Sequence, residues 1–250
     1  MSRLSYYKLD DNLATAVVID EEGNNNMTAG IITSSLSSAS GKFGRCFDFT
    51  NLSTKYATIT ASPWNQLQTC SLTFWINPDT LSSRGICSNR LAAREANGMW
   101  SVTFGSNTLN IEIFWGNSGV NSHQIILNAA THGFTIGTWD MFTLTMEIGG
   151  NIKVYRNATE IYTVATSGNL SGFFRSDNPF DVGRQGSNGG YNYCDGQLDS
   201  LALYNTVLSP TEITALYNLG SGWSNVINTI TSPGKVNSIE SSSITSINGV

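Results

Sequence analysis

Read in steps of two, residues 70–76 sort into two sets, with Cys70, Leu72, Phe74 and Ile76 on one side and Thr73 and Trp75 on the other. Side chains of an extended strand alternate between its faces, so this pattern predicts a strand with one face in a core. "NIEIFW" repeats the pattern, with Ile111, Ile113 and Trp115 opposite Glu112 and Phe114. "MFTLTMEI" repeats it again, with Phe142, Leu144, Met146 and Ile148 against Thr143, Thr145 and Glu147. Clusters of Gly, Asn and Ser separate such runs. Gly149–Gly150–Asn151 lies between "FTLTMEI" and "IKVYRN" and predicts a hairpin turn in which glycine supplies the positive φ. Residues 186–190 form another such cluster. Many short strands, regular turn signals and almost no helix predict an all-β fold, a two-sheet antiparallel β-sandwich or jelly roll.

The length suits one such unit, since sandwiches run to roughly 200–250 residues. With 6 Trp, 9 Tyr and 11 Phe the chain can fill a substantial core, which excludes disorder over residues 1–220. Charged residues are 12% of the chain, half of the roughly 25% usual in globular proteins, so its polarity comes from Ser, Thr, Asn and Gly. A net charge of −5 without a Lys/Arg cluster argues against nucleic acid as a partner. No apolar run approaches the roughly 18 residues that a membrane span requires. The opening "MSRLSYYKLDD" lacks the apolar region of a secretory signal, so synthesis in the cytoplasm of the producing cell is expected. Cys46, Cys70, Cys87 and Cys194 show no CxxC spacing and are expected to be free, structural thiols.

One segment breaks the strand pattern. In "SPTEITALYNLG" Ser209 stands as N-cap, Pro210 at the first helical position and Glu212 three residues after the cap. Ile213, Leu216 and Tyr217 then share a face, and Gly220 suits the position just past the end. One short C-terminal helix on the edge of the sandwich is predicted. Beyond Trp223 the chain turns aliphatic and Ser/Asn-rich, without aromatics, which divides it into a domain at 1–223 and a tail at 224–250. "KVNSI" and "SINGV" form a weak repeat within this tail. Two readings stand open: a loose terminus, or an assembly segment whose Val and Ile pair with another chain, including a second copy.

The segments taken in order resemble the laminin-G-like branch of the concanavalin A-like lectin/glucanase superfamily. "YYKLDDN" resembles the family's opening strand, "VIDEEGNNN" occupies the place of its Asp-Ser-Ser-Gly-Asn loop, and "GKFGRCFDF" resembles its Gly-Lys-Phe-Gly segment. "SLTFWINP", "IGTWDMFTLTMEIGGNIKVYRN" and "FDVGRQ" continue the series, although Met146 and Glu147 depart from the hairpin pattern. "YCDGQLDSLALYNTVLSPTEITALYNLG" closes it and is the most specific part. The resemblance implies a two-sheet jelly roll and leaves function open among lectins, glycosidases, adhesins and spacers. The tail "GKVNSI…ITSINGV" is similar to short Lys-Val/Ile-Asn-Gly-Val repeats near the ends of tailed-phage virion proteins.

Glycosidases of this superfamily place two carboxylates on one strand, and no Glu-x-Asp-x-x-Glu-like run occurs here. Glu112 stands alone, and His123 and His132 read as solvated loop residues without a nucleophile motif. No catalytic residue is therefore assigned. The family resemblance implies one structural Ca²⁺, with Asp20, a carbonyl near Gly23, and Asp199 as ligands. The alternative is that Asp20 stabilises a turn and Asp199 a neighbouring amide. Sugars need aromatic faces with planar polar groups beside them. "GGYNYC" puts Tyr191 and Tyr193 on one side of an extended segment with Asn192 between them, and Trp100 and Trp115 are further candidates. Core or rim packing is the competing reading of every one of these rings. The expected function is a non-catalytic virion surface protein of a tailed phage, a capsid decoration or fibre-like lectin. Its tail would hold capsid or tail proteins and its sandwich would face host-surface glycans. An adhesion or carbohydrate-binding module of a bacterial surface protein is the alternative.

Overall fold

The computed structural model describes residues 3–50, 53–82, 84–90, 99–114, 122–166, 172–175, 177–187 and 190–219. The proposed tail at 224–250, Gly220 and Trp115 lie outside these residues. The chain begins with β1 (Arg3–Tyr7), β2 (Val17–Val18) and β3 (Met27–Ala29). A hairpin of β4 (Ser37–Gly41) and β5 (Gly44–Asp48) follows, then β6 (Ala57–Ile59) and the long β7 (Thr69–Pro78). β8 (Arg84–Asn89), β9 (Met99–Gly105), β10 (Thr108–Phe114) and β11 (Ser122–Asn128) form a meander ending in a one-turn helix, α1 (Ala129–His132). A second meander runs through β12 (Asp140–Glu147), β13 (Asn151–Arg156) and β14 (Thr159–Ala165). The last elements are β15 (Phe180–Val182), a hairpin of β16 (Arg184–Ser187) and β17 (Gly190–Tyr193), β18 (Gly196–Tyr204) and helix α2 (Pro210–Asn218).

Sheet one has the order β14-β13-β12-β7-β18-β5-β4, with β1 also paired to β18. Sheet two has the order β11-β10-β9-β8-β15-β6-β3-β2. The expected all-β sandwich is thus the fold, and its alternation holds residue by residue. Leu72, Phe74 and Ile76 of β7 and Phe142, Leu144 and Met146 of β12 point into the core from sheet one. Val102, Phe104, Ile111 and Ile113 meet them from sheet two. The turn between β12 and β13 carries Gly149 at φ +74°, the conformation that the glycine pair predicts. All four cysteines are buried and free. Burial raises the Cys46 thiol to about 12, helped by the negative charges of Asp199 and Asp48, which makes it a poor nucleophile.

Helix α2 carries the predicted capping box. Ser209 Oγ accepts from the Glu212 amide at 3.3 Å, and the Ser209 amide donates back to Glu212 Oε2 at 2.8 Å. Ile213 and Leu216 are buried against the outer face of sheet one, and the Tyr217 ring stacks on Trp75, so the helix covers the central strands of that face and not the expected edge of the sandwich. Two further sequence expectations fail here. His123 lies on strand β11, opposite Ile113, and His132 sits in the last turn of α1, so neither is a loop histidine. That one-turn helix was not anticipated; Asn128 caps it by accepting from the Ala130 amide at 2.9 Å.

Candidate functional site

Strand alternation that sends Ile111, Val102 and Val182 inward turns their neighbours outward. Register places Gln124, Glu112, Ser101, Ser88, Asp181 and Thr58 side by side in one row across the outer face of sheet two. A polar row on an outer face is ordinary, yet Ser88, Ser101 and Asp181 are each 0% exposed. Their cover is the β16–β17 hairpin, which lies flat on β8. A Cβ on Gly85 would stand 2.2 Å from the Gln185 amide nitrogen and 2.5 Å from the Asn192 carbonyl oxygen, so only glycine lets the two backbones approach.

Hydrogen bonds fix the hairpin in place. Gln185 Nε2 donates to Ser101 Oγ at 3.2 Å, and Asn192 Nδ2 donates to Gln185 Oε1 at 3.2 Å. Arg184 Nη2 donates to Asp181 Oδ1 at 2.9 Å. Burial pushes the Asp181 carboxyl above its ordinary range, and the adjacent Arg184 only partly offsets this. The guanidinium carbon of Arg184 then sits 3.6 Å from the Tyr56 ring centroid and 4.2 Å from that of Tyr191. Tyr193 completes the group, 6.2 Å from Tyr191 and 6.5 Å from Tyr56. All three rings are half-buried. A Tyr ring braced in this way offers a rigid apolar face at low entropic cost.

Of the residues singled out in the sequence, Tyr191, Asn192 and Tyr193 come together here, with the two rings on one side of β17 as the alternation implied. Trp100 does not join them. It is 0% exposed, packed edge-on against Phe174 at 5.3 Å, because the phase of β9 sends Trp100, Val102 and Phe104 all into the core. Trp115 lies outside the described residues. Tyr56, Arg184 and Asp181 belong to the cluster and were not anticipated. Tyr56 comes from the loop before β6, far away in sequence, while Asp181 and Arg184 lie within "FDVGRQ", a segment that carried only family resemblance.

Two further sequence proposals can be placed. Asp20 Oδ1 accepts from the amides of Tyr6 (2.9 Å) and Glu22 (3.1 Å), and Oδ2 from the Asn25 amide and Ser5 Oγ at 3.0 Å each. Asp199 Oδ2 accepts from the Phe43 amide at 2.9 Å and Oδ1 from Ser200 Oγ at 3.0 Å. Gly23 turns the first loop at φ +81°, its amide donating to the Asp20 carbonyl at 2.8 Å. These donors point positive hydrogens at the carboxylate lone pairs that a cation would need. Among the described residues no group of three or more His, Cys, Asp and Glu side chains is placed to hold a metal. Each carboxylate thus ties two backbone segments together through its hydrogen bonds.

Glu112 accepts from Arg90 Nη1 at 3.1 Å and from Gln124 Nε2 at 3.2 Å. It shares its row with Asp181, three strand spacings away, or roughly 14 Å at about 4.8 Å per spacing. Glycosidase carboxylates stand about 5–5.5 or 6.5–9.5 Å apart, so this pair is not one. A separate hollow of about 550 Å³ beside α1 is lined by Leu81, Ala129, Phe134 and Ile136 among others, without a titratable side chain.

A family model described as the concanavalin A-like lectin/glucanases superfamily matches residues 51–214, well over half of the chain. No curated protein matches it. Solved structures of similar fold include the binding domain of botulinum neurotoxin DC in complex with rat synaptotagmin II, at a TM-score of 0.63 and 15% identity over 87% of this chain and 51% of that one. A structure of botulinum neurotoxin type C, whose cell entry is described as dependent upon interaction with two ganglioside molecules, has a TM-score of 0.62 at 16% identity, covering 87% and 51%. The binding domain of neurotoxin DC in complex with SialylT gives 0.62 at 15% identity over the same shares, 87% and 51%. The chain spans about half the length of these structures. At such identities the likeness is one of fold.

Proposed function

The chain belongs to the concanavalin A-like lectin/glucanases superfamily, and we propose that it is a non-catalytic, lectin-type module that binds glycans through Tyr56, Tyr191 and Tyr193. One observation carries this reading: three tyrosine rings stand half-exposed around a guanidinium on a hairpin bonded to the sheet beneath it. Packing alone does not require such an arrangement. Rings that serve only the core are buried outright, as Trp100 and Phe74 are. A braced, partly exposed ring packs its face against the C–H face of a pyranose, and the Asn192 amide beside it matches sugar hydroxyls. The neurotoxin structures that interact with gangliosides or hold SialylT lend support, since each includes a region of this fold.

The module is placed on the virion surface of a tailed phage, as a capsid decoration or fibre-like protein. Residues 224–250 attach it to capsid or tail proteins or to further copies. The support for this is the resemblance of "GKVNSI…ITSINGV" to virion-protein tails. A second reading, a carbohydrate-binding or adhesion module of a bacterial surface protein, draws on the matched structures being about twice as long as the region they share with this chain. Deletion of residues 224–250 separates the two, because only the virion role loses particle association while glycan binding persists.

The glycan site is tested with Tyr191→Ala/Tyr193→Ala. Loss of two stacking faces is expected to weaken binding on a glycan array by about tenfold or more, measured well below the melting temperature so that the variant is folded. Undiminished binding by this variant overturns the assignment of the site.

A further inference from the structure

We infer that the hairpin site selects neutral sugars and rejects anionic ones, an inference that rests on the glycan-binding reading above. An arginine among tyrosines invites the opposite conclusion, that it receives a carboxylate or sulfate. The geometry points elsewhere. Arg184 already donates to Asp181 at 2.9 Å, and that aspartate is 0% exposed, so the positive charge is neutralised from inside the protein. The guanidinium lies against the Tyr56 and Tyr191 rings, 3.6 and 4.2 Å from their centroids, which makes it a support for those rings. Both polar partners on the hairpin, Gln185 and Asn192, are neutral amides joined to each other at 3.2 Å.

Acidic residues also stand near the hairpin base. Asp195 stands two residues past the hairpin and pairs with Arg84 at 3.8 Å, so that second arginine is compensated as well. Asp79 and Asp48 share the field of Asp195: burial first, then the charges of Asp48 and Asp195, push the Asp79 carboxyl above its ordinary range. A sialylated or sulfated sugar at the rings would therefore meet a cation already compensated by Asp181. A neutral pyranose meets ring faces and amides, with no charge to desolvate.

The test uses the full chain on matched pairs: a neutral galactose-terminated oligosaccharide and the same oligosaccharide capped with sialic acid. The capped partner is expected to bind at least about tenfold more weakly, the scale of one unfavourable charge contact. Binding of the neutral partner is expected to change less than about twofold between roughly 50 and 500 mM salt, since screening acts only on charge. Asp181→Asn, which uncovers the Arg184 charge, is expected to narrow the gap between the partners by about threefold or more. Equal or tighter binding of the capped partner, or a steep fall with salt for the neutral one, overturns the inference while leaving glycan binding intact. Binding of neither overturns the glycan reading and the inference with it. The array and salt measurements need only the unaltered protein, so they decide the matter even where Asp181→Asn fails to fold.

Discussion

Each large sheet gives one face to the shared core and turns the other outward, and the two outer faces are covered by opposite chemistry. On sheet one the cover is apolar. Leu208, Ile213 and Leu216 close over Tyr6, Trp75, Met141, Tyr155 and Tyr204, a second small core under α2. Trp75 is 2% exposed, stacked on Tyr217 at 5.6 Å, with Lys42 Nζ 4.4 Å above its ring and Phe43 edge-on at 5.6 Å. Ser71 pins the strap that leads into the helix, its hydroxyl donating to the Thr206 carbonyl and accepting from the Leu208 amide. On sheet two the cover is the β16–β17 hairpin, attached by amides, hydroxyls and one ion pair. Apolar burial is non-directional and supplies stability in proportion to area. Hydrogen bonds contribute less net energy but fix orientation. One face is thus sealed, while the other holds three rings at set angles and leaves them accessible.

The comparison is broken most forcefully by paired substitutions. Trp75→Ala empties the centre of the sealed face and is expected to cost roughly 3–5 kcal/mol in denaturant unfolding. Glycan binding measured well below the melting temperature is expected to persist, and its loss in a folded Trp75→Ala variant would show that the faces are coupled. Gly85→Ala is the counterpart on sheet two. Strand β8 accommodates alanine, but the added methyl overlaps hairpin backbone rather than a flexible side chain. The hairpin must lift, at a stability cost of about 1–3 kcal/mol. Binding is expected to fall by more than about tenfold, beyond what that stability loss alone produces in a protein still folded. Unaltered binding in Gly85→Ala would separate the hairpin from function.

The sealed face was legible in the sequence and the open one only in part. Period-two alternation put Trp75 opposite Leu72, Phe74 and Ile76, and the capping box at Ser209 and Glu212 located the helix that covers it. Both signals are local. Tyr191 and Tyr193 were found in the same way, because a strand places residues i and i+2 together. Tyr56 could not be found, since its place beside Arg184 depends on how β6 and β15 pair, which no local pattern encodes. The Trp100 assignment was avoidable: "MWSVTFG" alternates as cleanly as "SLTFWIN", and the phase shared by Trp100, Val102 and Phe104 marks a core residue. Asp20 resembled a calcium ligand because acidic loops are ambiguous until their backbone donors are in view.

The smallest effect concerns charge at the rim of the sealed face. Asp199 stands in register with Trp75 and holds the β4–β5 turn through the Phe43 amide, and among the described residues no cation forms an ion pair with it as Arg184 does with Asp181. Burial raises its carboxyl to about 6, and burial raises Asp11 to about 6 as well. A carboxyl with a raised folded pKa binds its proton more tightly folded than unfolded. Its contribution to stability is therefore full below the ordinary value near 4 and is lost as pH rises through about 6. Between roughly pH 7.5 and 5.5 Asp199 contributes about 0.8 kcal/mol of added stability, and Asp11, more screened by solvent, contributes less, for about 1 kcal/mol or slightly more together. At about 2–4 °C per kcal/mol for a chain of this size, the melting temperature is expected to rise by a few degrees on acidification. Glu160, held below its ordinary range by hydrogen bonding to Lys153, works in the other direction, but its contribution is lost only at lower pH. Asp199→Asn keeps an acceptor for the Phe43 amide and removes the titration. The variant is expected to show a rise about 2–3 °C smaller than the parent over this window. Parallel pH profiles for parent and Asp199→Asn would mean that the Asp199 carboxyl is solvated and lies outside the sealed face.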